Sequence, residues 1–381
     1  DLNHGRRFVL EDKEETKWLF FLSPSNRILY CRLSEENKSQ NSMVDSQPVK
    51  DFYATIDGNG VIRILAYAFS RQLVYYEWIN GRWRRQTLER IYSRFQNISY
   101  ISILSGSNST HILYYIESSL TKSTEFLAHY YLQEEKWYGG RVWKFISDES
   151  IIPRTAFIDP KDNLHIVFTR RKKNGSLGLF HARFHSDSLS WSEPAFIHAP
   201  TEQCSQFQLY IDLNENIHLV WIENINSTYY LKCLQQSKIN PSASWNEATL
   251  YQSSHEISSP TIVHDDKLLC IWEENKLLHQ ITSLDSGRTW GEPNSLAKNG
   301  AEHFRLFHFI SYNKIKSPSH SIRVWAYDHP VIELAGTKHS DAKEVISPEI
   351  ALHPDYSNKF AEIEASMSSI NNEIKKEIKH N

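Results

Sequence analysis

The chain has 381 residues, 40% of them hydrophobic, and a formal net charge of −3. That is enough apolar material for one large or two ordinary domains. The charge gives no long-range electrostatic case for nucleic acid or an anionic membrane, and no apolar run reaches the ~18 residues of a membrane-spanning helix. Aromatic residues make up 13% of the chain, including 11 Trp and 19 Tyr, which favours β structure because these rings fit pleated surfaces.

In chain order, the same group of elements returns. Opening strands are predicted at residues 7–12, 51–57, 98–104, 154–159, 206–212, 259–265 and 304–310. A turn follows most of them, often led by an acid, as at Asp57, Asp159, Asp212 and Asp265. After the turn comes an apolar strand. One column of these second strands reads Arg63, His111, His165, His218, Leu269 and Arg323. A third strand follows, then a fourth that begins at a tryptophan: Trp83, Trp137, Trp191, Trp245 and Trp290, spaced by 54, 54, 54 and 45 residues. Four-stranded units recurring at this period predict an all-β propeller over residues 1–350. The seven openers favour seven blades. Six would result if residues 7–12 close the ring as a strand of the last blade.

From Asp355 the pattern changes. Phe360, Ile363, Met367, Ile370 and Ile374 alternate in steps of three and four, which predicts a C-terminal amphipathic α-helix over 355–381. It would lie on the propeller or begin a coiled coil, making residues 357–381 a possible homo-oligomer contact. The four cysteines, Cys31, Cys204, Cys233 and Cys270, are scattered without a CxxC, so no zinc site of that type is expected. No P-loop, GxGxxG, HExxH, GxSxG or EF-hand motif is found. No cofactor or metal is therefore assigned.

The column residues Arg63, His111, His165, His218 and Arg323 are the candidate ligand-facing set, because equal positions in neighbouring blades can lie close together. Strand-end carboxylates such as Glu117, Glu223, Glu273, Glu274 and Asp328 are candidates for an acid/base pair. The last tryptophan ends the stretch Ser283-Leu284-Asp285-Ser286-Gly287-Arg288-Thr289-Trp290. With Ser283, Asp285, Gly287, Thr289 and Trp290 as its defining residues, it resembles the Asp-box (BNR repeat) of sialidase-like β-propellers. That resemblance implies the propeller fold. For members that cleave sialosides it also implies three arginines, a Tyr–Glu nucleophile pair and an acid/base Asp. The F/Y-R-I-P motif that usually carries the first arginine has no match here: Arg6-Arg7 precede Phe8-Val9, and Ile152-Pro153-Arg154 has the order reversed. The expectation is thus a non-catalytic module, extracellular or at the cell surface, that binds a glycan or protein partner. The alternative is a divergent glycoside hydrolase with a carboxylate pair in the central pocket.

Overall fold

The computed structural model describes residues 6–334, except 34–40, 119, 121–123, 146–149, 172–174, 213, 238–244, 265–266, 297–303, 313–320 and 329–331. The described strands lie in one compact unit ending at Thr337, and no α-helix occurs among the described residues. The helix expected over 355–381, and the oligomer contact assigned to it, fall outside the described residues.

The strands form six sheets, five of them chain-order meanders. Blade 2 runs from Val49 to Arg90, blade 3 from Gln96 to Lys144, blade 4 from Ser150 to His198, blade 5 from Cys204 to Ser253 and blade 6 from Ile257 to Ser295. Seven inner strands are present, but they head six blades. Phe8–Glu11 pairs in parallel with Phe304–Ser311, with Phe8 opposite His308 and Glu11 opposite Ser311. Blade 1 therefore joins the two chain ends in one seven-stranded sheet. The expected seven is corrected to six by this closure: hydrogen bonds across the chain ends merge the first unit with the last.

Within each meander, the chain enters every inner strand on one face of the ring and turns into the second strand on the other. On this turn face the hairpins interlock. A Cβ on Gly58 would stand 2.0 Å from the Ser107 carbonyl oxygen, and one on Gly106 would stand 1.8 Å from Asp162 Oδ1. Asp162 in turn accepts from the amides of Ser107 (2.7 Å) and Asn108 (3.0 Å). Only glycine permits so close an approach.

The tryptophan repeat has a packing cause. Trp83 meets Phe20 and Tyr30 of blade 1, Trp137 meets Tyr75 of blade 2 at 5.3 Å, Trp191 meets His129 of blade 3 at 5.2 Å, and Trp245 meets His181 of blade 4 at 6.0 Å. Each ring thus packs back onto the preceding blade. Trp290 packs with the core shared by blades 4, 5 and 6. Aromatic contacts of this kind add about 0.5–1.5 kcal/mol beyond area burial. Arg82, Arg84 and Arg85 stay at the exposed edge of blade 2. All four cysteines are buried free thiols.

Candidate functional site

Two groups of ionisable residues stand out, and the sequence pointed to only one. The column residues sit at the turn-face corners. Asp212 accepts from the amides of Asn214 and Asn216 (both 2.9 Å), from Asn216 Nδ2 (2.9 Å) and from His218 Nε2 (3.1 Å). Asp159 repeats the arrangement with Lys161, Asn163 and His165. Burial alone would raise these two carboxyls, yet the imidazole and asparagine donors hold both below the ordinary Asp range. In blade 2 the same corner uses Arg63, whose Nε donates to Asp57 at 2.8 Å and whose other nitrogens reach Tyr75 and Glu77. Blade 3 has no turn acid, and His111 Nδ1 instead meets His129 Nε2 at 3.0 Å. Burial pushes His111 down to about 3.

These corners are the floors on which the next blade's tryptophan rests. His218 carries the turn Ser283–Trp290: a Cβ on Gly287 would come within 3.0 Å of its ring. That turn closes on itself. Asp285 Oδ1 accepts from Ser283 Oγ and the Thr289 amide (both 2.8 Å), and Oδ2 from Thr289 Oγ1 (2.7 Å). The Thr289 amide and hydroxyl hold the Asp285 carboxyl at about 2. Gly287 takes φ +83°. The sialidase-type resemblance rests on these eight residues. Of the candidate ligand-facing set, Arg63, His111, His165 and His218 lie buried in these corners. Among the carboxylates, Glu117, Glu223, Glu273 and Glu274 each engage a local donor or hydroxyl, and the Asp328 side chain lies outside the described residues.

The second group lines the ring axis. Four residues before each turn acid, or the position matching it, the inner strands carry Phe8, Tyr53, Ser102, Thr155, Gln208, Thr261 and His308. Around one side of the axis these side chains knit neighbouring blades together, the Leu209 amide donating to Thr155 Oγ1 (3.4 Å) and the Ile262 amide to Gln208 Oε1 (2.7 Å), while Thr261 Oγ1 donates within its own blade to the Ile271 carbonyl (3.3 Å).

The other side is chemically different. Tyr53 Oη lies 3.5 Å from His308 Nδ1. Phe8 stacks on His308 at 4.7 Å and meets Tyr53 at 4.8 Å. Arg6 lies over Tyr53, pairs with Asp51 at 3.2 Å and donates to the Ile101 carbonyl. Tyr100 packs on Tyr115 at 5.8 Å from a bulge with φ +46°. The same bulge recurs at Gln206 and Ser259, so it belongs to the inner strands; at Tyr100 it carries an aromatic ring. Arg323 stands opposite His308 in register and acts electrostatically on Tyr53, Tyr100 and His308. Of the predicted set, Arg323 is the one that falls in this cluster.

The protonation states follow from burial and the two guanidiniums. Burial, then Arg323 and Arg6, push His308 well below its ordinary range, so it is neutral at pH 7. Burial raises Tyr53 although Arg6 and Arg323 pull against it, so its phenol keeps its proton. Burial also raises Asp51 against the pull of Arg6. Arg6, Asp51, Tyr53, Tyr100, His308 and Arg323 are all only part-buried, so each keeps some exposed surface. The cluster brings together one carboxylate, Asp51, already paired with Arg6, so no acid/base carboxylate pair forms in it.

No family model and no curated protein sequence matches the chain. Solved structures do. An ulvan lyase of polysaccharide lyase family PL25 is 12% identical, covers 74% of this chain and 77% of its own, and superposes with TM-score 0.52. The same enzyme bound to -[GlcA(1-4)Rha3S]- gives 0.54 over the same coverage. The Aleuria aurantia lectin with Fucalpha1-6GlcNAc is also 12% identical, covering 77% of this chain and 96% of its own, with TM-score 0.43. At these identities the likeness is one of propeller fold.

Proposed function

We propose that the chain is an extracellular or cell-surface carbohydrate-recognising propeller whose axial recess binds an acidic saccharide. The observation that carries this reading is the placing of Arg6 and Arg323 with Tyr53, Tyr100 and His308 on one side of the axis. Guanidinium groups recognise carboxylate or sulfate through paired N–H donors. The tyrosine rings offer faces and hydroxyls to a sugar. The propeller fold shared with a lyase solved on a glucuronate-containing sulfated glycan agrees with this class of ligand. The test is calorimetric titration with uronate and sulfated oligosaccharides against their neutral counterparts. Arg6→Gln removes a charge-assisted contact of about 1.5–3 kcal/mol, which is a loss of roughly ten- to a hundredfold. Equal affinity for neutral and acidic sugars would overturn the reading.

A second reading, eliminative cleavage, is favoured by the Tyr53–His308 pair. In a uronate, a base takes the proton α to the carboxyl, the electron pair forms a carbon–carbon double bond, and the glycosidic C–O bond breaks as its oxygen is protonated. Neutral His308 is fit to take the first proton, protonated Tyr53 to give the second, and the arginines to hold the carboxylate as charge builds on it. The check is ultraviolet absorbance of the unsaturated product on incubation with polyuronates. No rise over the buffer blank across pH 5–9 leaves binding alone.

A further inference from the structure

Beside the recess, on the face where the chain enters the inner strands, lies a run of rings and cations that none of the contacts above uses. Lys50 directly precedes Asp51, and its ammonium lies 4.9 Å from the Tyr67 ring centroid. The Tyr67 hydroxyl donates to Asn97 Oδ1 at 2.6 Å. Next to Asn97, the Gln96 carbonyl accepts from the Arg71 guanidinium, which also holds the Ser93 carbonyl. Buried Ile91 donates its amide to the Arg71 carbonyl at 3.0 Å. Loop 91–96 is thus pinned at both ends.

That pinned loop nonetheless displays Tyr92 at 84% exposure and Phe95 at 43%, with Phe69 at 52% on the adjacent hairpin. Single exposed rings are ordinary, but exposed rings grouped on one face mark interaction sites. Arg94 lies over Phe95 at 4.7 Å and Arg90 over Tyr92 at 6.0 Å. The acids nearby are committed elsewhere: Asp51 to Arg6, Glu89 to Tyr114 and Arg141, Glu117 to Asn97, Glu125 to Gln96. Lys50, Arg90 and Arg94 make ring contacts and no ion pair among the described residues.

We infer that this track is a second subsite, along which an acidic polysaccharide continues outward from the recess between blades 2 and 3. Tyr92 and Phe95 stack on successive sugars, and Lys50, Arg90 and Arg94 pair with their anionic groups. The inference rests on the acidic-saccharide reading of the recess and adds that the ligand is a polymer. Continuity from Asp51 through Lys50, Tyr67 and Asn97 to loop 91–96, with cations left unpaired, selects this occupant.

The test compares a uronate disaccharide with a long polyuronate on the full chain and on Tyr92→Ala/Arg94→Gln. Both substitutions are at exposed positions, so the fold is kept. Wild type should bind the polymer more tightly than the disaccharide. The double variant should lose about tenfold for the polymer, the scale of one stacking or cation–ring contact, and nothing for the disaccharide. A polymer affinity within about twofold of wild type overturns the track while leaving the recess intact. Binding of neither probe by wild type overturns both. Loss of binding to phosphatidylglycerol vesicles, with polyuronate binding unchanged, would make the track a lipid contact and overturn it as well.

Discussion

The turn-face corners and the axial recess use the same residue types for opposite ends. At the corners, histidine or arginine is buried and bonds within its own blade, with the next blade's tryptophan packed on the corners of blades 3 and 4; only His111 Nε2 and His218 Nδ1 among these groups are buried without a partner among the described residues. In the recess, tyrosine, histidine and arginine arrive from three blades and stay part-buried, and their hydrogen bonds are long. Buried polar groups with their partners made contribute to stability, whereas groups held together with bonding capacity to spare are available to a ligand. The contrast predicts that damage to corners shows first as lost stability, and damage to the recess first as lost binding.

Acid should separate the two regions most strongly. His111, His129, His165, His181 and His308 all have depressed pKa values through burial. Four of the five belong to corners. A histidine depressed in the fold titrates near 6.5 when unfolded, so the unfolded chain binds more protons at every pH below that. Stability is therefore complete above about pH 6.5 and falls as pH drops, by roughly 1.4 kcal/mol per unit for each such histidine. Urea unfolding at pH 7.5, 6.5 and 5.5 should give a flat step followed by a loss of several kcal/mol. Equal stability at 7.5 and 5.5 would mean the corner imidazoles are not held neutral.

Next in size is Asp212→Ala. It removes the acceptor of four hydrogen bonds and leaves His218 without its carboxylate at a fully buried site. The cost should be about 3–5 kcal/mol, with saccharide affinity of the folded fraction unchanged. Gly287→Ala acts on the same corner from above. The residue needs φ +83°, and the new methyl would crowd His218, so a loss of about 1–2 kcal/mol is expected. Thermal unfolding reads both. A Gly287→Ala variant as stable as wild type would show that the turn does not bear on the corner.

The corners were legible in the sequence because three of them are local: an acid, a turn and a basic residue six positions on, at Asp57/Arg63, Asp159/His165 and Asp212/His218. So was the tryptophan spacing, since one ring per unit fastens each blade to its predecessor. What spacing could not give was the use of the column. A repeated histidine looks the same whether it supports a tryptophan or faces a ligand, and only Arg323 of the set lies beside His308 in register. The recess was missed because residues 6, 51, 53, 100, 308 and 323 meet through ring closure. The signal was present but unread: four residues before each turn, Tyr53 and His308 break a column otherwise made of Ser, Thr, Gln and Phe. Their adjacency depends on the parallel pairing of Phe8–Glu11 with Phe304–Ser311, and this closure also changed the blade count from seven to six.

The smallest expected change in stability is the most informative about the contrast. Tyr53→Phe keeps the ring that packs on Phe8 and removes only the hydroxyl 3.5 Å from His308. A bond that long contributes little, so unfolding free energy should move by less than about 1 kcal/mol. Acidic-saccharide affinity should nevertheless fall about tenfold through loss of one hydrogen bond to a charged ligand, and any eliminative turnover should vanish because the proton donor is gone. Corner and recess would then respond in opposite order to the removal of a single polar group. If Tyr53→Phe instead costs 3 kcal/mol or more, a corner-sized loss, with affinity intact, the hydroxyl is holding the blades together. The axis would then be one more set of structural contacts, and the recess would lose its claim to a ligand.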